Sequence, residues 1–203
     1  MPTKKQPAAA SRPGRRPELL AIAAEVFAAR GYDATTVREI ADEAGMLAGS
    51  LYHHFASKEA MADEILSTFL TGLRTAYGTV LGSGLAPRET LEALVTETFR
   101  QIGRHRAAAA IYRTEAAHLA TRPGFHHLAD ARAAVEDPWL RALERGAADG
   151  TLRPGPDPRL TARFIGDAVW GAASWAGPDA EHDPAGLARP YLALLLDGLA
   201  PHA

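Results

Sequence analysis

The chain has 203 residues and not one cysteine. Disulfides and thiolate metal sites are thereby excluded. No apolar run approaches the roughly 20 residues of a membrane span, and the N-terminus lacks the apolar core of a signal peptide. No membrane partner is therefore expected, and the cytoplasm is the expected compartment. Alternating patterns of the kind strands need are scarce. No HExxH, Gly-x-Ser-x-Gly or phosphate-loop motif occurs, and Gly82-Ser83-Gly84 reads only as a linker. His53-His54 and His126-His127 are neighbours in sequence. Adjacent helical residues diverge by about 100°, so neither pair makes a two-ligand clamp. Catalytic residues, metals and cofactors are accordingly not expected. A small helical enzyme is the competing class, which activity of the purified protein would decide.

Charge is also scarce as a net quantity. The formal charge of −2 argues against a protein that coats nucleic acid indiscriminately. Its distribution is uneven. Lys4, Lys5, Arg12, Arg15 and Arg16 give the first 17 residues +5, against −7 for the remaining 186. Such a Pro- and Ala-rich basic arm can follow phosphates or enter a minor groove, or it can be a solvated tail. Residues 18–60 carry Arg30, Arg38 and Lys58 against seven acids, so those acids must mostly face away from any nucleic acid.

What is present in quantity is helical periodicity and alanine, with 47% apolar and 23% charged residues, an ordinary globular composition. The fold expected is all-α with about nine helices. Residues 1–16 read as a disordered arm, 17–60 as a helix-turn-helix domain and 61–203 as a second helical domain. A first helix starts at Pro17, a favoured first-turn residue, and ends at Gly31. The segment Thr35 to Lys58 follows. Val37, Ile40, Ala41 and Ala44 recur at helical spacing behind the capping hydroxyls of Thr35 and Thr36. Gly45 stands where a left-handed residue ends a helix. Ala48 to Phe55 then forms about two turns with Leu51 and Phe55 inward, and Ser57 caps a long helix from Lys58 to about Leu81. A bracing helix, a tight turn and a second helix are the geometry that places one helix in the DNA major groove.

Further helices are expected over about 87–103, 106–120 and 125–148, the last kinked or split by Pro138. Two more are expected over 158–176 and 184–199, each opened by proline behind aspartate, the second bent by Pro190. Leu160, Phe164, Ile165, Ala168, Val169 and Ala172 of the first, with Tyr191, Leu192, Leu194, Leu195, Leu196 and Leu199 of the second, offer more apolar faces than one core needs.

Thr36-Val37-Arg38-Glu39-Ile40-Ala41, Ala44-Gly45, Leu51-Tyr52-His53-His54-Phe55 and Ser57-Lys58-Glu59 together resemble the TetR-type transcriptional repressors. One departure is Leu47, where such proteins usually carry a small hydroxyl residue as cap of the recognition helix. The resemblance implies a homodimer on a pseudo-palindromic double-stranded DNA operator and a second domain that senses a small-molecule effector. Tyr52 and Lys58 match positions that hold the DNA backbone, and His54 one that supports or touches it. The Thr36 hydroxyl is a further anchor expected here. Arg38, Ala48, Gly49, Ser50 and His53 are the expected base contacts, arginine being suited to guanine and a small residue to a thymine methyl. Phe69, Tyr77, Phe99, Tyr112, Trp139 and Trp170 are expected to line an apolar effector cavity, with Glu115 and His118 as its polar groups. An activator, or a ligand-independent DNA-binding protein, shares this head and differs only in its response.

The stretches LAGSLYHHFASKE, IYRTEAAHLA and RFIGDAVWGAASW resemble, more narrowly, actinobacterial repressors of steroid-ring and fatty-acid breakdown that sense coenzyme A thioesters. Those relatives carry arginine where Gly166 stands, one turn before Trp170. Arg104, Arg106, Arg113 or Arg163 would then have to meet the phosphates, or the ligand carries none.

Overall fold

A computed structural model describes residues 14–152, 157–171 and 184–197. The arm up to residue 13, Ala172 and Leu199 lie outside that description. Among the described residues the chain is helical without strands: α1 (Arg15–Arg30), α2 (Val37–Glu43), α3 (Ala48–Leu51), α4 (Lys58–Gly82), α5 (Pro87–Arg104), α6 (Arg106–Leu119), α7 (His127–Asp149), α8 (Pro158–Gly171) and α9 (Pro184–Leu192), followed by a π-helical turn (Ala193–Asp197).

The first helix starts two residues before the expected Pro17. Proline is tolerated there because the first four amides of a helix have no intrahelical partner. Arg15 and Arg16, assigned to the arm on sequence, are thus part of the folded head. Arg15 donates to the Ala44 carbonyl (3.1 Å) at the end of α2. Arg16 pairs with Glu64, donates to the His54 carbonyl and lies 4.2 Å over the Phe55 ring. Between them they tie α1 to the ends of α2, α3 and α4.

α2 opens with a capping box. Thr36 Oγ1 accepts from the Glu39 amide (3.2 Å), and the Glu39 carboxylate accepts from the Thr36 amide (2.8 Å). Gly45, at φ 64°, makes the turn; any side chain there would strain the left-handed backbone. The recognition helix α3 is shorter than expected. After Leu51 the amides of His53 and His54 reach back three residues, to Ser50 (3.2 Å) and Leu51 (2.9 Å), so the second turn tightens. Leu51 and Phe55 are buried, as their spacing predicts.

α4 is the axis of the molecule. Its Met61, Ile65, Leu66, Phe69, Leu73 and Tyr77 are all buried. It packs against α1 at one end and against α5, α6 and α7 beyond. Of the kink or split expected at Pro138, α7 shows no split: it runs as one helix from His127 to Asp149. The carbonyl that Pro138 leaves unpaired belongs to Ala134, an exposed residue, where water can take it. The last helix, expected over 184–199 and bent at Pro190, is described as far as residue 197. Within a turn of Pro190 it widens into the π-turn, a common response to a lost helical donor. α9 lies along α5. On α8, Ile165 and Val169 point into the protomer core while Leu160 and Phe164 are exposed. The apolar set expected at a subunit interface therefore divides between two faces of one helix.

Candidate functional site

The reading head presents Arg38, Leu47, Gly49, Tyr52 and His53 to solvent, with Ala48, Ser50 and His54 half-buried beside them. Two expected backbone anchors are already engaged. The Thr36 hydroxyl donates to Glu39 Oε2 (2.9 Å) as part of the cap of α2. Accepting from this cap holds the Glu39 carboxyl below the usual carboxylate range, with Arg30 (2.6 Å) adding to the effect. Lys58 is turned inward. Its ammonium donates to the Tyr32 carbonyl (2.9 Å) and the Thr35 carbonyl (2.8 Å) and stands 4.3 Å above the Tyr32 ring. Two of its three donors thus close the α1–α2 connection onto the start of α4.

Three of the seven acids of residues 18–60 are neutralised by pairs: Glu18 with Arg15, Asp33 with Arg122 and Glu39 with Arg30. With Arg15 and Arg16 included, the net charge of the head rises from −4 to −2.

A seam joins the head to the second domain. Arg122, just past α6, clamps Asp33 at 2.7 and 2.8 Å. His118 Nε2 lies 3.3 Å from the same carboxylate. Desolvation would raise the Asp33 carboxyl, but the Arg122 contacts, helped by His118, hold it below the ordinary range. Tyr32 lies between the cations of Lys58 and Arg122 and meets the Phe125 ring edge-on at 6.0 Å. Burial, with Glu59 beside it, pushes its hydroxyl well up. Glu115 also faces this seam, with Oε1 3.3 Å from where a side chain on Gly31 would begin. Glu115 and His118, expected among the effector's polar contacts, therefore contact the head instead. On a helix they lie three and six residues beyond Tyr112, so one end of α6 touches the head while its middle lines the core.

The expected effector aromatics form three groups. Phe69 (α4), Tyr112 (α6) and Trp170 (α8) converge, with ring centroids 6.0, 6.1 and 4.7 Å apart. Tyr77 and Trp139 form a separate pair (6.0 Å), the Tyr77 hydroxyl bonded to Thr98. Phe99 stacks edge-on against Tyr191 of α9 (5.6 Å), and burial pushes the Tyr191 hydroxyl up to about 12. The expected set thus divides into one three-ring cluster and two separate pairs.

Arg132 of α7 was not singled out by sequence. Its guanidinium carbon lies 6.0 Å from the Tyr112 ring, and its Nε is buried without a hydrogen-bond partner. Burial raises the Tyr112 hydroxyl, and the Arg132 charge opposes that shift. The missed signal was periodicity: Arg132 shares a helical face with buried Val135 and Trp139.

An open groove of about 460 Å³ lies between α5 and α9, lined by residues such as Arg88, Glu92 and Leu192. It shares no residue with the aromatic cluster, and charged rims with an open mouth suit it poorly to an apolar ligand.

Residues 19–65 match the domain described as bacterial regulatory proteins, tetR family, and residues 84–199 the tetracyclin repressor-like C-terminal domain. The chain belongs to the TetR family. It is 47% identical over 190 residues to the HTH-type transcriptional repressor KstR2 of Rhodococcus jostii, covering 93% of each chain. It is 43% identical over 185 residues to KstR2 of Mycobacterium tuberculosis, covering 91% of this chain and 92% of that one. The solved structure of ketosteroid transcriptional regulator KstR2 of Mycobacterium tuberculosis superposes with a TM-score of 0.87, covering 97% of this chain and 100% of that one at 41% identity. This TetR-family protein is a transcriptional regulator, and the family is not one of enzymes. Among the described residues no helix is long and apolar enough to cross a membrane.

A Cβ placed on Gly166 meets nothing within 4 Å. Gly166→Arg is therefore expected to be accommodated and to raise stability by about 0.5–1 kcal/mol, the helical cost of an interior glycine. It is also expected to tighten binding of a phosphate-bearing thioester by placing a cation one turn before Trp170. Thermal melts and calorimetric titration of the variant check the two effects separately.

Proposed function

We propose that the protein is a cytoplasmic, homodimeric repressor that leaves a pseudo-palindromic operator when a small apolar effector enters beside Phe69, Tyr112 and Trp170. One observation carries this reading: the same two helices serve both places. α4 holds Lys58 in the head and Phe69 in the cluster, while α6 holds Tyr112 in the cluster and ends on the Asp33 seam. A ligand that parts Phe69 from Tyr112 displaces α4 or α6, and either displacement reaches the head. It shifts the equilibrium only by its differential affinity for the two arrangements.

On the DNA, Arg38, Ala48, Gly49, Ser50 and His53 read base edges, and Tyr52 holds the backbone with support from His54. Lys58 has one donor left for a phosphate and otherwise fixes the head. The basic arm adds phosphate contacts. The effector class is an acyl- or steroid-derived coenzyme A thioester. The ketosteroid regulator relatives and the apolar cluster support this class, and the unpartnered Nε–H of Arg132 suits a carbonyl of the acyl part.

Breaking the seam tests transmission. Asp33 and Arg122 are both more than one-third exposed, and such ion pairs contribute about 0–1 kcal/mol. Arg122→Ala is therefore expected to melt within about 4 °C of the parent and to bind operator. The thioester concentration for half-release should shift several-fold. A variant that releases at the parent's concentration removes the seam from the mechanism.

A further inference from the structure

The most exposed large apolar side chain among those described is Leu47, at 80%. It stands immediately before Ala48, in extended conformation, and makes no side-chain cap to α3. A serine, threonine, aspartate or asparagine in its place would accept a bond from a free helix amide. Leu47 forgoes that bond and, so exposed, gains little from burial within the protomer. Elsewhere in the head the only other exposed large apolar residue is Tyr52, which ends in a hydroxyl. The first residues of a recognition helix are those that meet base edges. In the major groove, the thymine C5 methyl is the group that an aliphatic side chain can recognise.

We infer that Leu47 reads a thymine methyl in each operator half-site, so that the exposed leucine is a specificity-determining residue and not a lost cap. The inference rests on the DNA-binding reading above. Leu47 becomes buried only when the head docks, and its contact then distinguishes thymine from cytosine and from uracil, which lacks the methyl.

The test uses the full chain as a dimer and half-sites selected by it from a random duplex pool. Each thymine of the selected site is replaced in turn by uracil, deleting one methyl. Affinity is then measured for the parent and for Leu47→Ala, whose melting temperature should be unchanged because Leu47 packs on so little. One thymine per half-site is expected to cost the parent about 4-fold on replacement, the worth of one buried methyl. Leu47→Ala should bind the natural site more weakly and be indifferent to uracil at that one position, while the effects at all other thymines persist. A Leu47→Ala variant with parental affinity, or one that retains every thymine-to-uracil effect, overturns the assignment. So does a selected site with no uracil-sensitive thymine. Selection of no sequence at all would instead overturn the DNA-binding reading itself.

Discussion

Phe164→Asp is expected to convert the protein to a monomer and to weaken operator binding by at least about 100-fold. The side chain is 63% exposed on α8. Leu160 and Ala168, one turn to either side, are exposed as well and extend a stripe at i, i+4, i+8. Ile165 and Val169 on the opposite face are buried in the protomer core, whereas the stripe stays exposed among the described residues. Leu194 of the π-turn is half-exposed too. Two heads joined through a two-fold axis bind the second half-site as an intramolecular event, which multiplies affinity by about 10²–10⁴. A carboxylate facing its symmetry mate removes that gain by repulsion and desolvation. Sedimentation velocity should show a single monomeric species, with helical circular dichroism and melting of the protomer close to parental. A variant that stays dimeric places the interface on another surface.

Lys58→Met is expected to lower stability by about 3 kcal/mol, roughly 6–12 °C in a chain of this size. Hydrogen bonds from a charged donor contribute about 1.5–3 kcal/mol. Lys58 makes two, to Tyr32 and Thr35, besides its contact with the Tyr32 ring. Methionine keeps most of the volume and leaves both carbonyls without this partner. The alternative, a lysine whose ammonium acts mainly on DNA, predicts a different pair of results. Melting would be unchanged, and the slope of log affinity against log salt would fall by about one. Differential scanning calorimetry and a salt titration on the same preparation distinguish the two.

The difference between these roles marks what could be read from residues alone. Helix existence was legible because apolar spacing and caps agree: Thr36 capping α2, Gly45 after it, and Ser57 capping α4 all stand where the sequence puts them. Inward residues such as Ile40, Leu51, Phe69 and Tyr77 follow from the same periodicity. Partners distant in sequence were not legible. Nothing local says that Lys58 reaches back to residues 32 and 35, or that Arg122 meets Asp33 across 89 positions. Position on a helix did not reveal which end of α6 serves which domain, so Glu115 and His118 were placed with the effector. Their neighbours in space belong to the head. At Pro138 the helix does not split, and an exposed carbonyl absorbs the lost bond; within a turn of Pro190 the helix changes type.

The most direct measurement is fluorescence anisotropy of a labelled duplex from the region upstream of the gene, titrated with the protein. Steroid-derived and long-chain coenzyme A thioesters are then added to the complex. Specific binding by two protomers per pseudo-palindrome, reversed by a thioester in the parent and much less so in Trp170→Ala, is the predicted result. Binding that no thioester disturbs, or release that proceeds equally well without Trp170, would contradict the coupling of the aromatic cluster to the reading head.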